Sequence, residues 1–343
     1  MQTFYLRFSD CIHDHRSPQL SEKFGRCRPA WLNFAQLPAA STHNNFAHQP
    51  GQWRTFEINT RADIAKLEGT TRVWLPIPPV SSNYQQSLER SFSSNGSGTF
   101  MQNGQANAKM LHVEFAADEP RPFVELPSCG QTQSRRVDWP KKTAAPEDAA
   151  TLRYFTRPTE LIPTSGIVRK TALATTQGAT SDVEKTQIVY DWVVANTYRE
   201  PKVRGCGEGD IRTMLETGNL GVKCADLTAI FVGRCRSVGI PARDVYGIRL
   251  VASGFGYKEL SGNQARLKGA QDCCAEAYPK GYEWSAMDPA DVAKVMHMET
   301  PDWNKNRVDR VVAPVTSVLF GGWFEPYAVD DFKYQITAKE VKA

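Results

Sequence analysis

No stretch of this sequence approaches the roughly 18–20 consecutive apolar residues that a membrane-crossing helix requires. The segment from Leu227 to Gly233 is about as apolar as the chain becomes, so no integral membrane role is expected. Clusters of like charge are also missing. Lys and Arg number 41, Asp and Glu 37, and the resulting +4 is spread along 343 residues. A nucleic-acid binder, or a protein held on acidic membranes, gathers its basic residues instead. The eight cysteines (Cys11, Cys27, Cys129, Cys206, Cys224, Cys235, Cys273 and Cys274) include no Cys-x-x-Cys pair. Zinc-ribbon and thioredoxin-type sites are therefore unsupported. Eight in so long a chain also make no disulfide framework. The N-terminus lacks the apolar core of roughly 7–15 residues found in a secretory leader. Asp10, His13, Asp14, His15, Arg16, Glu22, Lys23 and Arg26 interrupt it. Residues 1–50 are expected to be poorly ordered, and the compartment stays open.

What is present is an ordinary globular balance, 41% hydrophobic and 23% charged, in a chain long enough for about two domains. From Trp53 to Trp139 the pattern is that of strands: Trp53–Thr60, Thr71–Ile77 and Met110–Phe115 alternate apolar and polar residues. Turn-rich stretches such as Ser93–Gly98 separate them. This predicts a small antiparallel β domain over 51–150, with Pro140–Asp148 as a linker. A second domain over 151–343 opens with helices. Ser181 and Glu184 form a capping-box pattern for a helix running to about Asn196, and Asp210 caps a short helix ending near Gly218. A third, amphipathic helix runs from about Cys224 to Val238, stopped by Gly239 and Pro241. Strands return at Asp244–Val251, Cys273–Tyr278 and Glu283–Met287. The expected class is α+β, helices followed by an antiparallel sheet.

Cys224 stands out chemically. It follows a glycine-containing turn and opens a helix, where unpaired N–H groups and the positive dipole end favour a thiolate. Lys223 adds positive charge nearby. On position alone, a small buried core residue is the bland alternative. The segment Lys223-Cys-Ala-Asp through Gly239-Ile-Pro-Ala-Arg to Gly247 resembles the core of the transglutaminase-like superfamily. There a Cys begins a helix that ends in a Gly-Ile-Pro-Ala-Arg turn into a strand. Ala275-Glu-Ala-Tyr and Trp284-Ser-Ala-Met-Asp288-Pro resemble that family's second and third motifs. The likeness is specific over Ser181–Val295, weaker back to Trp53, and absent before it. It implies a papain-like core, a helix bearing Cys packed on an antiparallel sheet, preceded by a small β domain. It further implies no metal and no organic cofactor, and it is compatible with an exported or periplasmic location.

The sequence departs from that pattern at one position. Relatives read His-Cys-Arg-Ala-Glu where this chain reads Asp272-Cys273-Cys274-Ala275-Glu276, so Asp272 replaces the histidine and Cys274 a common arginine. Asp288 matches the third member of the triad. His297, the only histidine after His112, lies beyond Asp288 at a place the family does not use. An ordinary thiol is only about 3% thiolate at pH 7. A carboxylate is a poorer base for it than an imidazole by roughly 4–5 pK units, or about 6 kcal/mol. Repulsion between Asp272 and Asp288 is one way to raise a carboxyl pKa into a usable range. Strand alternation puts Asp272, Cys274 and Glu276 on one face and Cys273, Ala275 and Ala277 on the other. With Asp272 facing Cys224, Cys274 is expected to face it too, and the Asp272 carboxylate is expected within about 6 Å of the sulfur.

Other features read as structural. Gly205–Asp210 is a turn before a helix, because Glu208 and Asp210 repel phosphate. Tyr198, Trp192 and Trp284 are expected in the core. Asn95-Gly-Ser matches a glycosylation acceptor with no export signal to support it. The functional expectation is a cysteine enzyme acting on peptide or protein amide bonds, through a thioester at Cys224 with Asp272 and Asp288. The alternatives are an inactive domain of the same fold that binds peptide or protein, and a thiol redox or metal site at Cys224 and Cys274.

Overall fold

The computed structural model describes residues 2–4, most of 52–298, 317–319 and 332–341. Among these, the chain forms β1 (Gln2–Phe4), β2 (Arg54–Ile64), β3 (Thr71–Ile77), β4 (Gln85–Arg90), β5 (Ser93–Ser94), β6 (Ser97–Asn103), β7 (Ala108–Phe115) and β8 (Phe123–Thr132) before any helix. Period-2 patterning decides which faces meet. Phe56, Ile58, Ala62 and Ile64 of β2 are buried, as are Val73, Leu75 and Ile77 of β3, while Arg54, Arg61, Asp63 and Arg72 lie between them on the wet faces. The strands form two sheets, in the orders β1-β3-β7-β6 and β15-β2-β8-β4, with β5 on β8. Their apolar faces share one core. The strand β15 (Phe332–Val341) pairs along the whole of β2, from Phe332 opposite Ile64 to Val341 opposite Thr55. The C-terminal strand thus joins a sheet whose other strands lie before residue 133. Of residues 1–50, the described part is Gln2–Phe4, and most of the expected linker at 140–148 also lies outside the described residues.

The helices are α1 (Ala149–Tyr154), α2 (Gly166–Thr175), α3 (Asp182–Asn196), α4 (Ile211–Thr217), α5 (Cys224–Ser237) and α6 (Pro289–Met298). Their caps follow the sequence signals. The Ser181 side chain accepts from Glu184 N–H at 3.2 Å, and the Glu184 carboxylate returns to Thr180 N–H at 2.7 Å. Asp210 accepts from Thr213 N–H at 3.1 Å, and Gly218, at φ 69°, ends α4 in the left-handed region. The remaining strands are β9 (Tyr198–Arg199), β10 (Gly221–Val222), β11 (Ala242–Arg249), β12 (Gln271–Ala277), β13 (Ser285–Met287) and β14 (Ser317–Leu319). Sheet β13-β12-β11-β14 is antiparallel throughout, and α5 packs on β11 and β12 with α2, α3 and α6 around it. All residues of α5 after Cys224 are buried, so it has no solvent face. A helix carrying Cys on an antiparallel sheet is the expected α+β architecture. Among the described residues, no helix is long and apolar enough to cross a membrane.

Glu276 joins the β region to this sheet. Only 1% exposed, it accepts from Arg243 Nε at 2.8 Å and from the hydroxyl of Tyr84 at 3.0 Å. The Arg243 guanidinium lies 4.0 Å over Trp284, whose Nε1 donates to Glu147 at 2.8 Å. Trp284 is thus half-buried under a cation, and Trp192, half-buried against the helical core as expected, carries Arg234 at 3.7 Å. Removing the Glu276 carboxylate takes this acceptor from the Arg243 guanidinium and the Tyr84 hydroxyl. Glu276→Ala is expected to cost about 2–3 kcal/mol, read as a lower urea midpoint at unchanged slope.

Candidate functional site

The site is assembled around the carboxylate of Asp226. It occupies the third position of α5, 4% exposed, with Oδ1 accepting from Gly209 N–H at 2.7 Å and Oδ2 from Lys223 N–H at 3.1 Å. These are donors that a helix start and a tight loop otherwise leave unpaired. Burial pushes the Asp226 carboxyl up from its ordinary value, and the N–H donors of Gly209 and Lys223 pull it back. The loop wraps closely. Gly207 has φ +99°, and a Cβ there would stand 1.9 Å from Asp226 Oδ2, so no other residue fits. Gly209 is also left-handed, at φ +76°. Ala225 N–H donates to the Cys206 carbonyl at 3.0 Å, which fixes Cys206 against the first turn of α5.

Cys224 is the first residue of α5 and is half-buried. Its sulfur lies 3.2 Å from Cys273 Sγ, and the sulfurs of Cys206, Cys224 and Cys273 all lie within 4.8 Å of one another. Three separate segments deliver them: the 206–210 loop, the start of α5, and β12. Tyr246, buried, is the register partner of Cys273 on β11. Cys224 packs against both apolar cores, the one shared by the β sheets and the one beneath the helices.

The strand face differs from expectation. Cys273, with Ala275 and Ala277, faces the helix side, whereas Cys274 packs with Val245 and Tyr84 on the opposite side. The reason is steric. A buried helix lying close on a sheet requires small residues beneath it, and 275 and 277 are both Ala. Cys274 therefore does not approach Cys224, and the two-thiol site expected there is corrected to Cys224, Cys206 and Cys273. Asp272 pairs with Gly247 in the ladder; its side chain, like that of His297 in α6, lies outside the described residues. Asp288 is 1% exposed and closes the start of α6, its Oδ1 accepting from Asp291 N–H at 2.8 Å. Its carbonyl accepts from the Tyr190 hydroxyl at 3.3 Å. Tyr198, expected in the core, is 48% exposed and lies across Gly221, where a Cβ would meet its hydroxyl at 2.4 Å.

Electrostatics also departs from the helix-dipole expectation. The Cys224 thiol is pushed up to about 11, first by its hydrogen bond with Cys206 and then by burial; the hydrogen bond with Cys273 and the charge of Arg199 act the other way. Cys273 is pushed well above the ordinary thiol range by its hydrogen bonds with Cys206 and Cys224 and by burial. Three thiols in contact cannot all ionise, because each thiolate repels the next. The helix terminus acts on one charge and is outweighed.

Cys206 and Cys273 escaped the sequence reading. The signal for Cys206 was a cysteine between glycines ahead of a helix whose third residue is acidic. For Cys273 it was the parity it shares with Ala275 and Ala277.

Residues 169–289 match the sequence model of the transglutaminase-like superfamily. An uncharacterised protein of Haemophilus influenzae is 31% identical over 275 residues, covering 75% of this chain and 72% of that protein. The crystal structure of a candidate cysteine protease from Cytophaga hutchinsonii superimposes with a TM-score of 0.57 at 12% identity, over 86% of this chain and 93% of that one. The second likeness is one of fold.

The raised thiol sets a pH dependence. The reactive form is the thiolate, so alkylation of Cys224 by iodoacetamide is expected to rise about tenfold per pH unit from 7 to 10 and to level near 11. Cys206→Ala, which removes the largest upward cause, is expected to shift that profile to lower pH. Mass-spectrometric mapping of the modified cysteine against pH measures both.

Proposed function

Because the chain belongs to the transglutaminase-like superfamily, we propose that it is a cysteine enzyme acting on amide bonds of peptides or proteins, by hydrolysis or by acyl transfer. The observation that supports this reading is the placing of Cys224, half-buried, as the first residue of a buried helix packed on the antiparallel sheet. In this reading the Cys224 sulfur attacks the amide carbonyl, the amine leaves with a proton, and the thioester passes to water or to an acceptor amine. The Cys224 N–H faces the developing oxyanion. Asp288 is the proposed proton-handling partner; Asp272, which strand alternation groups with Cys274 and Glu276 rather than with Cys273, is given no part in this step.

The resting thiol is protonated, with its value at about 11. Thiolate is thus scarce at pH 7, on the order of 100-fold scarcer than for an unshifted thiol. Acylation is therefore slow at neutral pH and faster in alkali. The same fact favours a second reading, a catalytically inactive domain of this fold that binds peptide or protein in the cleft.

The two separate in one experiment. The chain is incubated with a glutamine-rich and lysine-rich peptide library at pH 7 and pH 10, then quenched in acid and analysed for an acyl adduct on Cys224. An enzyme gives the adduct, more at pH 10, and loses it in Cys224→Ala. Asp272→His is expected to leave the pH 7 rate unchanged, since strand alternation groups position 272 with Cys274 and Glu276 and not with Cys273, which meets the thiol. Peptide retention without any adduct at either pH, equal in Cys224→Ala, would establish the binding reading and remove the catalytic one.

A further inference from the structure

Three of the six described cysteines converge on one point, while Cys129, Cys235 and Cys274 lie elsewhere. We propose that Cys206, Cys224 and Cys273 form a binding site for a thiophilic d10 metal ion, zinc in the first instance, held by three thiolates with a fourth position open.

The donor set and its geometry both support the site. Soft thiolates select zinc and monovalent copper over hard cations. With Zn–S bonds of about 2.3 Å in a tetrahedral arrangement, ligand sulfurs stand about 3.8 Å apart. The Cys224–Cys273 separation is 3.2 Å and all three sulfurs fall within 4.8 Å, so each moves by less than about 1 Å to close on an ion. A disulfide requires about 2.05 Å between two sulfurs and leaves the third unused, whereas an ion uses all three.

The backbone is arranged in advance of any ion. Asp226 holds the 206–210 loop through Gly209 N–H, and the Cys206 carbonyl is tied to Ala225 N–H, so Cys206 gives up little freedom on binding. Cys273 is fixed in the middle of β12, paired with Tyr246. Cys273 is buried while Cys206 and Cys224 are half-buried, which puts the open side of the triangle toward those two residues. One divalent ion enters and three thiol protons leave, with no electron transferred. The product carries one negative charge, opposed by the N-terminus of α5 and by Arg199, whose charge acts on Cys224.

This goes beyond the acyl chemistry and does not rest on it. An ion on Cys224 withdraws the nucleophile, so the metal-loaded and acylating forms exclude each other.

The test uses the full chain, reduced and handled without oxygen, titrated with Co2+ as the probe and then with Zn2+. The expected result is a thiolate-to-cobalt charge-transfer band of three-thiolate intensity with tetrahedral d–d bands. It saturates at one equivalent, is bleached by one equivalent of Zn2+, and releases about three protons per ion. Outer-sphere substitutions at metal sites cost 10–100-fold in affinity, so Cys206→Ser and Cys273→Ser, which remove ligands, are each expected to weaken Zn2+ at least about 100-fold. Cys274→Ser and Cys129→Ser are expected to leave it unchanged. The wild-type titration needs no variant, so a misfolded mutant does not spare the proposal. Absence of the band up to millimolar Co2+ overturns it, as does equal weakening by Cys274→Ser. A reduced chain that takes up no ion but oxidises to a Cys224–Cys273 bridge also overturns it, in favour of a redox pair. The readout is spectroscopic, so failure to find an acyl adduct leaves it intact, and an acylating chain without the cobalt band overturns the metal site alone.

Discussion

The Asp226 carboxylate accepts the N–H groups of Gly209 and Lys223, and in doing so binds a loop, a helix start and a cysteine into one unit. A carboxylate at this depth survives only with donors around it. Here the donors come from the two segments whose juxtaposition makes the site. Gly207 lies against it with no room for a side chain, so loop and helix cannot separate without exposing a buried carboxyl. The position of Cys206 beside Cys224 follows from this interaction.

Cys224 then sits where two cores meet. The β sheets and the α5 sheet share one apolar cluster, the helices supply the other, and Cys224 touches both. Such a place is well suited to precise positioning and poorly suited to charge. The family chemistry answers that conflict with an imidazole, which supplies a base and then a counter-charge. In this chain the neighbouring described groups include two thiols; Cys206 raises the Cys224 value more than Cys273 and the charge of Arg199 lower it, and Cys273 is itself raised by both of the others. The same crowding that penalises one isolated thiolate is relieved by a divalent cation shared among three. The acyl and metal readings therefore start from one geometry and differ in what neutralises the sulfur.

Much of this was legible in the chain. Alternation marked β2, β3 and β7, because one face of each strand is wet and the other dry. Ser181, Asp210 and Gly218 marked helix ends through hydrogen bonds and a left-handed turn that few residues can supply. Cys224 was legible from its place before an apolar run. Less visible were α1, α2 and α6, and the strand β15, whose partner residues in β2 lie 268 to 286 positions earlier. A pairing so distant leaves no local trace, since either strand alone is merely alternating.

The face of β12 shows where sequence ended and tertiary structure began. Period-2 alternation established by itself that Cys273 shares a side with Ala275 and Ala277, and Cys274 with Glu276. Which side meets α5 depends on the close approach of a fully buried helix, which admits alanines and excludes a glutamate that must reach Arg243 and Tyr84. Local chemistry thus determined the strands, the caps and a cysteine at a helix start. The gathering of Cys206, Cys224 and Cys273 was decided by the packing of three distant segments, because proximity between sulfurs on separate elements depends on how those elements stack and is encoded in none of them singly.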